Sequence, residues 1–116
     1  MAKILVASPL IVVEQVVPFT YESGTLVLQQ VFAGDLIDTA WVVIKVAFDD
    51  PSSTIFMGTT FDPYLVFGIG DVTASIENQY TNQSITQFLA TDFLQLIVNP
   101  AASTVGSGLL VYRYRR

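Results

Sequence analysis

Leu36-Ile37-Asp38-Thr39-Ala40-Trp41-Val42-Val43-Ile44-Lys45-Val46-Ala47-Phe48 is the longest β-branched and aromatic run in the chain. Side chains alternate across a strand, so one face carries Val42, Ile44, Val46 and Phe48 and the other Trp41, Val43, Lys45 and Ala47. The second face is also mostly apolar. A strand apolar on both sides is expected to be covered on its outer face, over Trp41 and Val43, by a neighbouring subunit or by the N-terminal segment. A single exposed Trp is the plainer alternative and requires no partner.

Working outward from this run, Val, Ile, Thr, Phe and Tyr dominate while Ala-Glu-Lys-Leu helix runs are missing, an all-β composition. Gly, Pro, Asn and Asp divide the chain into short segments at close spacing. Strands are expected at 3–6, 10–17, 25–32, 37–48, 54–57, 64–67, 72–76, 84–89, 93–98 and 108–114. In the segment 93–98, Leu94, Leu96 and Val98 form the inward set. In the last, Leu110, Tyr112 and Tyr114 share a face, with rings expected on the core and hydroxyls at its rim. The small residues of 99–108, with Gly106 and Gly108, read as a hairpin turn. The expected architecture is a single jelly-roll-like antiparallel β-sandwich over residues 18–116, preceded by a strand or arm at 1–17. Such an arm would pair with a sheet edge of its own chain or of a neighbour.

Composition narrows the function. In 116 residues there is no His and no Cys, which removes the usual transition-metal ligands, thiol nucleophiles, Ser-His triads and the commonest general base. No cofactor is expected and the chain is read as non-enzymatic. Charged residues are only 13% of the chain, so either an assembly buries much of its outside or hydroxyl and amide groups keep it in solution. The net charge is −5 and Lys45 is the sole basic residue between Lys3 and Arg113, which argues against nucleic acid as a partner. The apolar run 4–13 is broken by Pro9 and closed by Glu14 and Gln15 with no small-x-small cleavage site, so it is read as a strand or arm and not as a signal peptide. Every long apolar run is interrupted well short of a membrane helix, and no membrane partner is expected.

Few constellations carry chemistry. Asp49-Asp50 and Asp62 are expected to gather at one end of the sandwich, where calcium is the cation to weigh, although no Asp-x-Asp-x-Asp-Gly loop is present. The competing reading is turn chemistry around Pro51. A glycosidase needs a cleft for which so short a chain has little material. A carbohydrate-binding module would instead present Trp41, Tyr64 or Tyr80 as a stacking platform. Gly68-Ile69-Gly70 lacks the rest of a nucleotide loop, and Asn82-Gln83-Ser84 reads as a polar turn. Arg113, Arg115 and Arg116 place three of the five basic residues at the C-terminus of an acidic chain. They are expected either to pair with carboxylates of the same or an adjacent subunit or to stand solvated. Candidate interface residues are therefore Trp41, Val43, Arg113, Arg115 and Arg116.

With these residues placed, the stretch 26–114 resembles the small β-sandwich virion proteins of tailed bacteriophages, especially capsid cement (decoration) and head-fibre proteins. Gly34-Asp35-Leu36-Ile37 leads into the long strand ending Val46-Ala47-Phe48-Asp49-Asp50, followed by Ile55-Phe56-Met57-Gly58-Thr59 and Asp62-Pro63. Leu94-Gln95-Leu96-Ile97-Val98 and the turn 103–108 into Leu110-Val111-Tyr112-Arg113-Tyr114 complete the match. The Asp-Asp-Pro turn departs from the Asp-Gly kind, and the apolar N-terminal segment has no counterpart. The resemblance implies a homo-oligomer, commonly a trimer and sometimes a dimer, that clamps the major capsid protein on the virion surface after synthesis in the host bacterial cytoplasm. A tail, collar or fibre component would share this composition.

Overall fold

The computed structural model describes residues 12–116, and they fold as strands joined by turns with no helix among them. In chain order these are β1 (Val12–Thr20), β2 (Thr25–Val31), β3 (Leu36–Val46), β4 (Thr54–Thr59), β5 (Gln79–Asn82), β6 (Thr86–Gln87), β7 (Asp92–Asn99) and β8 (Ser107–Arg115). The strand expected at 3–6, and residues 1–11 of the expected arm, lie outside the described residues. Val12–Val17 belongs to β1, which pairs with β8 of the same chain and runs on through Pro18.

The strands form two antiparallel sheets, one ordered β1-β8-β3-β5 with β6 also on β3, the other β2-β7-β4. The pairings of β1 with β8, β2 with β7 and β3 with β6 are nested, as when one long hairpin wraps over itself into a jelly roll. The fold is thus an antiparallel β-sandwich in one domain, as the composition required. β5 joins β3 beside β6 and leaves the second sheet three-stranded.

Alternation along the strands places the core where the sequence put it. Leu94, Leu96 and Val98 of β7 are buried, and so are Leu110, Tyr112 and Tyr114 of β8. They meet Val42 and Ile44 of β3 and Ile55 and Met57 of β4 between the sheets. Each such side chain contributes roughly 1.5–3 kcal/mol by leaving water. The tyrosine hydroxyls are covered rather than at the rim: Tyr112 donates to Gln29 Oε1 at 2.7 Å and Tyr114 donates to the buried Asp35 Oδ2. β3 keeps its inward set only between two register shifts. The first, between Ile37 and Thr39, changes parity, so Ile37 and Ala40 both point inward. The second, between Ile44 and Val46, turns Val46 out to solvent.

Several expected elements take another form. Residues 64–67 and 72–76 are irregular, yet they bury Val66, Phe67, Val72 and Ala74 in the core. Gly68 and Gly70 break the run, and the Asp71 carboxylate accepts the Gly68 amide at 2.7 Å to close a turn. The segment is held through backbone bonds to the open edge of β4 and to the chain just past the end of β3: the Val66 amide donates to Met57 O at 2.8 Å and the Phe48 amide to Ala74 O at 3.0 Å. It closes the flank that a fourth strand of the smaller sheet would occupy. The polar turn expected around Asn82 is instead the end of β5, and the strand expected at 84–89 shrinks to β6. The 99–108 connection is not a hairpin, because β7 pairs with β2 and β4 while β8 pairs with β1 and β3. It arches from one sheet to the other with Ala101 at φ 53° and Gly106 at φ 149°, the latter so close to the Phe48 ring that a Cβ would stand 2.6 Å from it.

Candidate interaction surfaces

The outer face of the larger sheet is built by register. Across it Val16, Val111, Trp41 and Thr81 stand in one row and Pro18, Leu109, Val43 and Gln79 in the next. Trp41, Val43, Leu109 and Val111 are half-buried, and Val16 is 57% exposed. The two residues singled out on the long strand thus belong to an apolar stripe spanning β1, β8 and β3. Glu14, Arg113 and Thr39 form the next row and begin its polar margin.

The C-terminal arginines divide. Arg115 Nε lies 2.7 Å from Asp38 Oδ2, the residue at the first register shift of β3. Arg116 Nε lies 3.8 Å from the buried Asp35, and its guanidinium sits 4.7 Å over the Phe32 ring. Both pair with carboxylates of their own chain, Arg116 while staying exposed, as Arg113 also is.

The three aspartates expected together are apart. β4 separates them, with Asp49 and Asp50 before its first residue and Asp62 beyond its last. The Thr104 amide and hydroxyl donate to Asp49 at 2.7 and 2.8 Å, and the Ser52 and Ala102 amides donate to Asp50 at 2.8 and 2.9 Å. Donation by the Thr104 hydroxyl lowers the Asp49 pKa, and donation by the Ser52 amide lowers that of Asp50. These carboxylates pin the 99–106 arch. Among the described residues no cluster of three or more acidic groups suited to a metal ion occurs.

The aromatic candidates do not share a platform. Trp41 lies in the stripe, Tyr64 packs edge-on to Phe56 at 4.8 Å, and the single Tyr80 hydroxyl proton is shared between Thr73 O and Ile76 O, 2.9 and 3.1 Å from the oxygen.

A second surface was missed by the sequence reading. At the end of the sandwich where β4 stops and β7 starts, Phe61 is 93% exposed and Leu89 87% exposed, facing a groove of about 260 Å³ with Leu65 and Phe88 in its lining. Gly58 makes this end possible, since a Cβ there would meet Asp62 O at 2.2 Å as residues 60–63 fold back over β4. The Phe61 amide and the Thr60 hydroxyl donate to Asp92, whose pKa is lowered chiefly by that hydroxyl. Among the described residues, eight of the thirteen exposed large apolar side chains come from residues 61–93, which is far from the scatter of a bare surface. Phe61 beside Asp62-Pro63 and Leu89 before Ala90-Thr91 carry no periodic signal of exposure; only the turns reveal it.

No protein-family profile matches the chain, and no curated protein does. Two solved structures share its fold. A chain of the acidic stable capsid structure of Helicobacter pylori bacteriophage KHP30 superposes with a TM-score of 0.66 at 12% identity, covering 90% of this chain and 87% of that one. A chain of the cyanophage Pam1 capsid asymmetric unit does so at 0.57 and 16% identity, covering 92% and 84%. This β-sandwich is therefore of the same fold as chains found in two phage capsids.

Proposed function

We propose that the chain is a bacteriophage capsid cement protein, a non-enzymatic virion component that binds the head lattice and stabilises it. The observation that carries the reading is the shared fold, over nine tenths of the chain, with chains of two phage capsid structures. Two apolar surfaces support it, the stripe through Trp41 and the groove between Phe61 and Leu89, because a protein working by attachment on several sides needs several such faces. The major capsid protein is the partner, the chain acts as a homo-oligomer with a trimer favoured, and it is made in the host bacterial cytoplasm before joining the capsid surface. A protein that binds assembled lattice better than free subunits shifts assembly by that difference in affinity. Several weak contacts per oligomer become strong together.

Co-sedimentation with purified expanded heads tests this. Saturable binding, with heads that survive a higher temperature once decorated, is the expected result. Absence from heads combined with labelling of the tail or collar by gold-conjugated antibody would replace the cement role with a tail or fibre role.

A further inference from the structure

We propose that the groove between Phe61 and Leu89 receives residues 3–7 of a second copy of this chain, so that copies are linked by exchanged N-terminal segments. The occupant is argued from where the described chain begins. Val12, Arg115, Leu36 and Gln87 lie in one row across the larger sheet, so β1 starts at the end of the sandwich that holds the groove. Three strand spacings, about 14 Å, separate Val12 from Gln87, and the five extended residue steps from Val12 back to Ala7 reach about 17 Å, enough to span such a distance.

The chemistry is complementary. Lys3-Ile4-Leu5-Val6-Ala7 offers aliphatic side chains behind a single cation. The groove offers Leu65, Phe88 and Leu89 with the carboxylates of Asp62 and Asp92 among its lining residues, on a chain of net charge −5. A direct path from Val12 to its own groove crosses the ends of β8 and β3, where Arg115 and Arg116 are already packed on Asp38, Asp35 and Phe32. A neighbouring copy's groove needs no such crossing. The contact is head-to-tail, and a rotation that closes it yields a ring.

The chain has no cysteine, so paired thiols report the contact cleanly. In full-length A7C/L89C protein, mild oxidation is expected to give covalent dimers and larger species, about tenfold or more above the yield from an A7C/S52C control, whose second thiol lies at the opposite end. Full-length Leu5→Asp and Leu89→Asp, the latter at a side chain that is 87% exposed, are each expected to lower the solution mass to that of a monomer by light scattering. An intrachain disulfide, or cross-linking no better than the control, would overturn the exchange. So would a solution mass unchanged in both single variants. The inference rests on the homo-oligomer of the proposed function and not on lattice attachment. An oligomer that persists without cross-links sinks the exchange alone, while cross-linked rings that ignore purified heads sink the cement role alone.

Discussion

The β3–β8 pair and the irregular connection 60–78 both deliver large side chains to the core, by opposite means. In the pair, backbone groups are satisfied by continuous ladders, and alternation sends Val42, Ile44, Leu110 and Tyr112 inward. In the connection, Val66, Phe67, Val72 and Ala74 reach the core from turns whose backbone leans on the edges of β4 and β3. The pair needs few exceptions to its pattern and leaves a continuous stripe outside. The connection, having no pattern to obey, also exposes Phe61, Tyr64, Ile69 and Ile76. Regular pairing thus builds the frame, and irregular chain both seals it and supplies most of its apolar exterior.

The sharpest way to break this contrast is Phe67→Ala. If the connection seals the core as the strands do, the change costs about 3–5 kcal/mol in urea unfolding, on a par with Leu96→Ala. A cost below about 1 kcal/mol would make the connection a mere covering.

Alkaline titration probes the strand side. Burial pushes the Tyr112 phenol up to about 12 from an ordinary value of 10.0. Below pH 10 both folded and unfolded states hold the proton; above it the unfolded chain ionises first, so stability falls by roughly 2–3 kcal/mol between pH 10 and 12. Tyr112→Phe is expected to remove that fall.

Gly58→Ala tests the join between the two regions. Its Cβ would strike Asp62 O and Pro63, and a loss of about 1–3 kcal/mol is expected in thermal unfolding, with the 60–65 turn displaced in hydrogen exchange. Acid has a more local effect at the far end. The Asp49 and Asp50 carboxylates, lowered by the donors they accept, stabilise the 99–106 arch above the ordinary carboxylate range. That contribution is lost as pH falls through their depressed values, seen as earlier exchange of the Ala102 and Thr104 amides. Leu89→Ser should change stability least, within about 0.5 kcal/mol. Its effect belongs to association, and a large loss of stability would show that the groove rim is part of the core.

The strand faces were readable because a strand has period two: Leu94, Leu96 and Val98, and Leu110, Tyr112 and Tyr114, announce their own burial. The same rule explains the misreadings. Residues 64–67 and 72–76 have the composition of strands, but whether such a run pairs depends on a free edge of matching length, which lies elsewhere in the chain. The arch at 99–108 looked like a hairpin because glycine and small residues signal a change of direction without saying which sheet the chain enters next. The carboxylates of Asp49 and Asp50 hold that arch from some fifty residues away.

By itself the amino-acid sequence determined the all-β class, the inward faces and the poverty of catalytic groups, since these follow from residue type and local periodicity. Only the tertiary structure decided the nested strand order, the separation of Asp62 from Asp49 and Asp50, the pairing of Arg115 and Arg116 with Asp38 and Asp35, and the groove between Phe61 and Leu89. Each of these depends on contacts between residues distant in the chain, whose pairing is chosen by the packing of the whole sandwich.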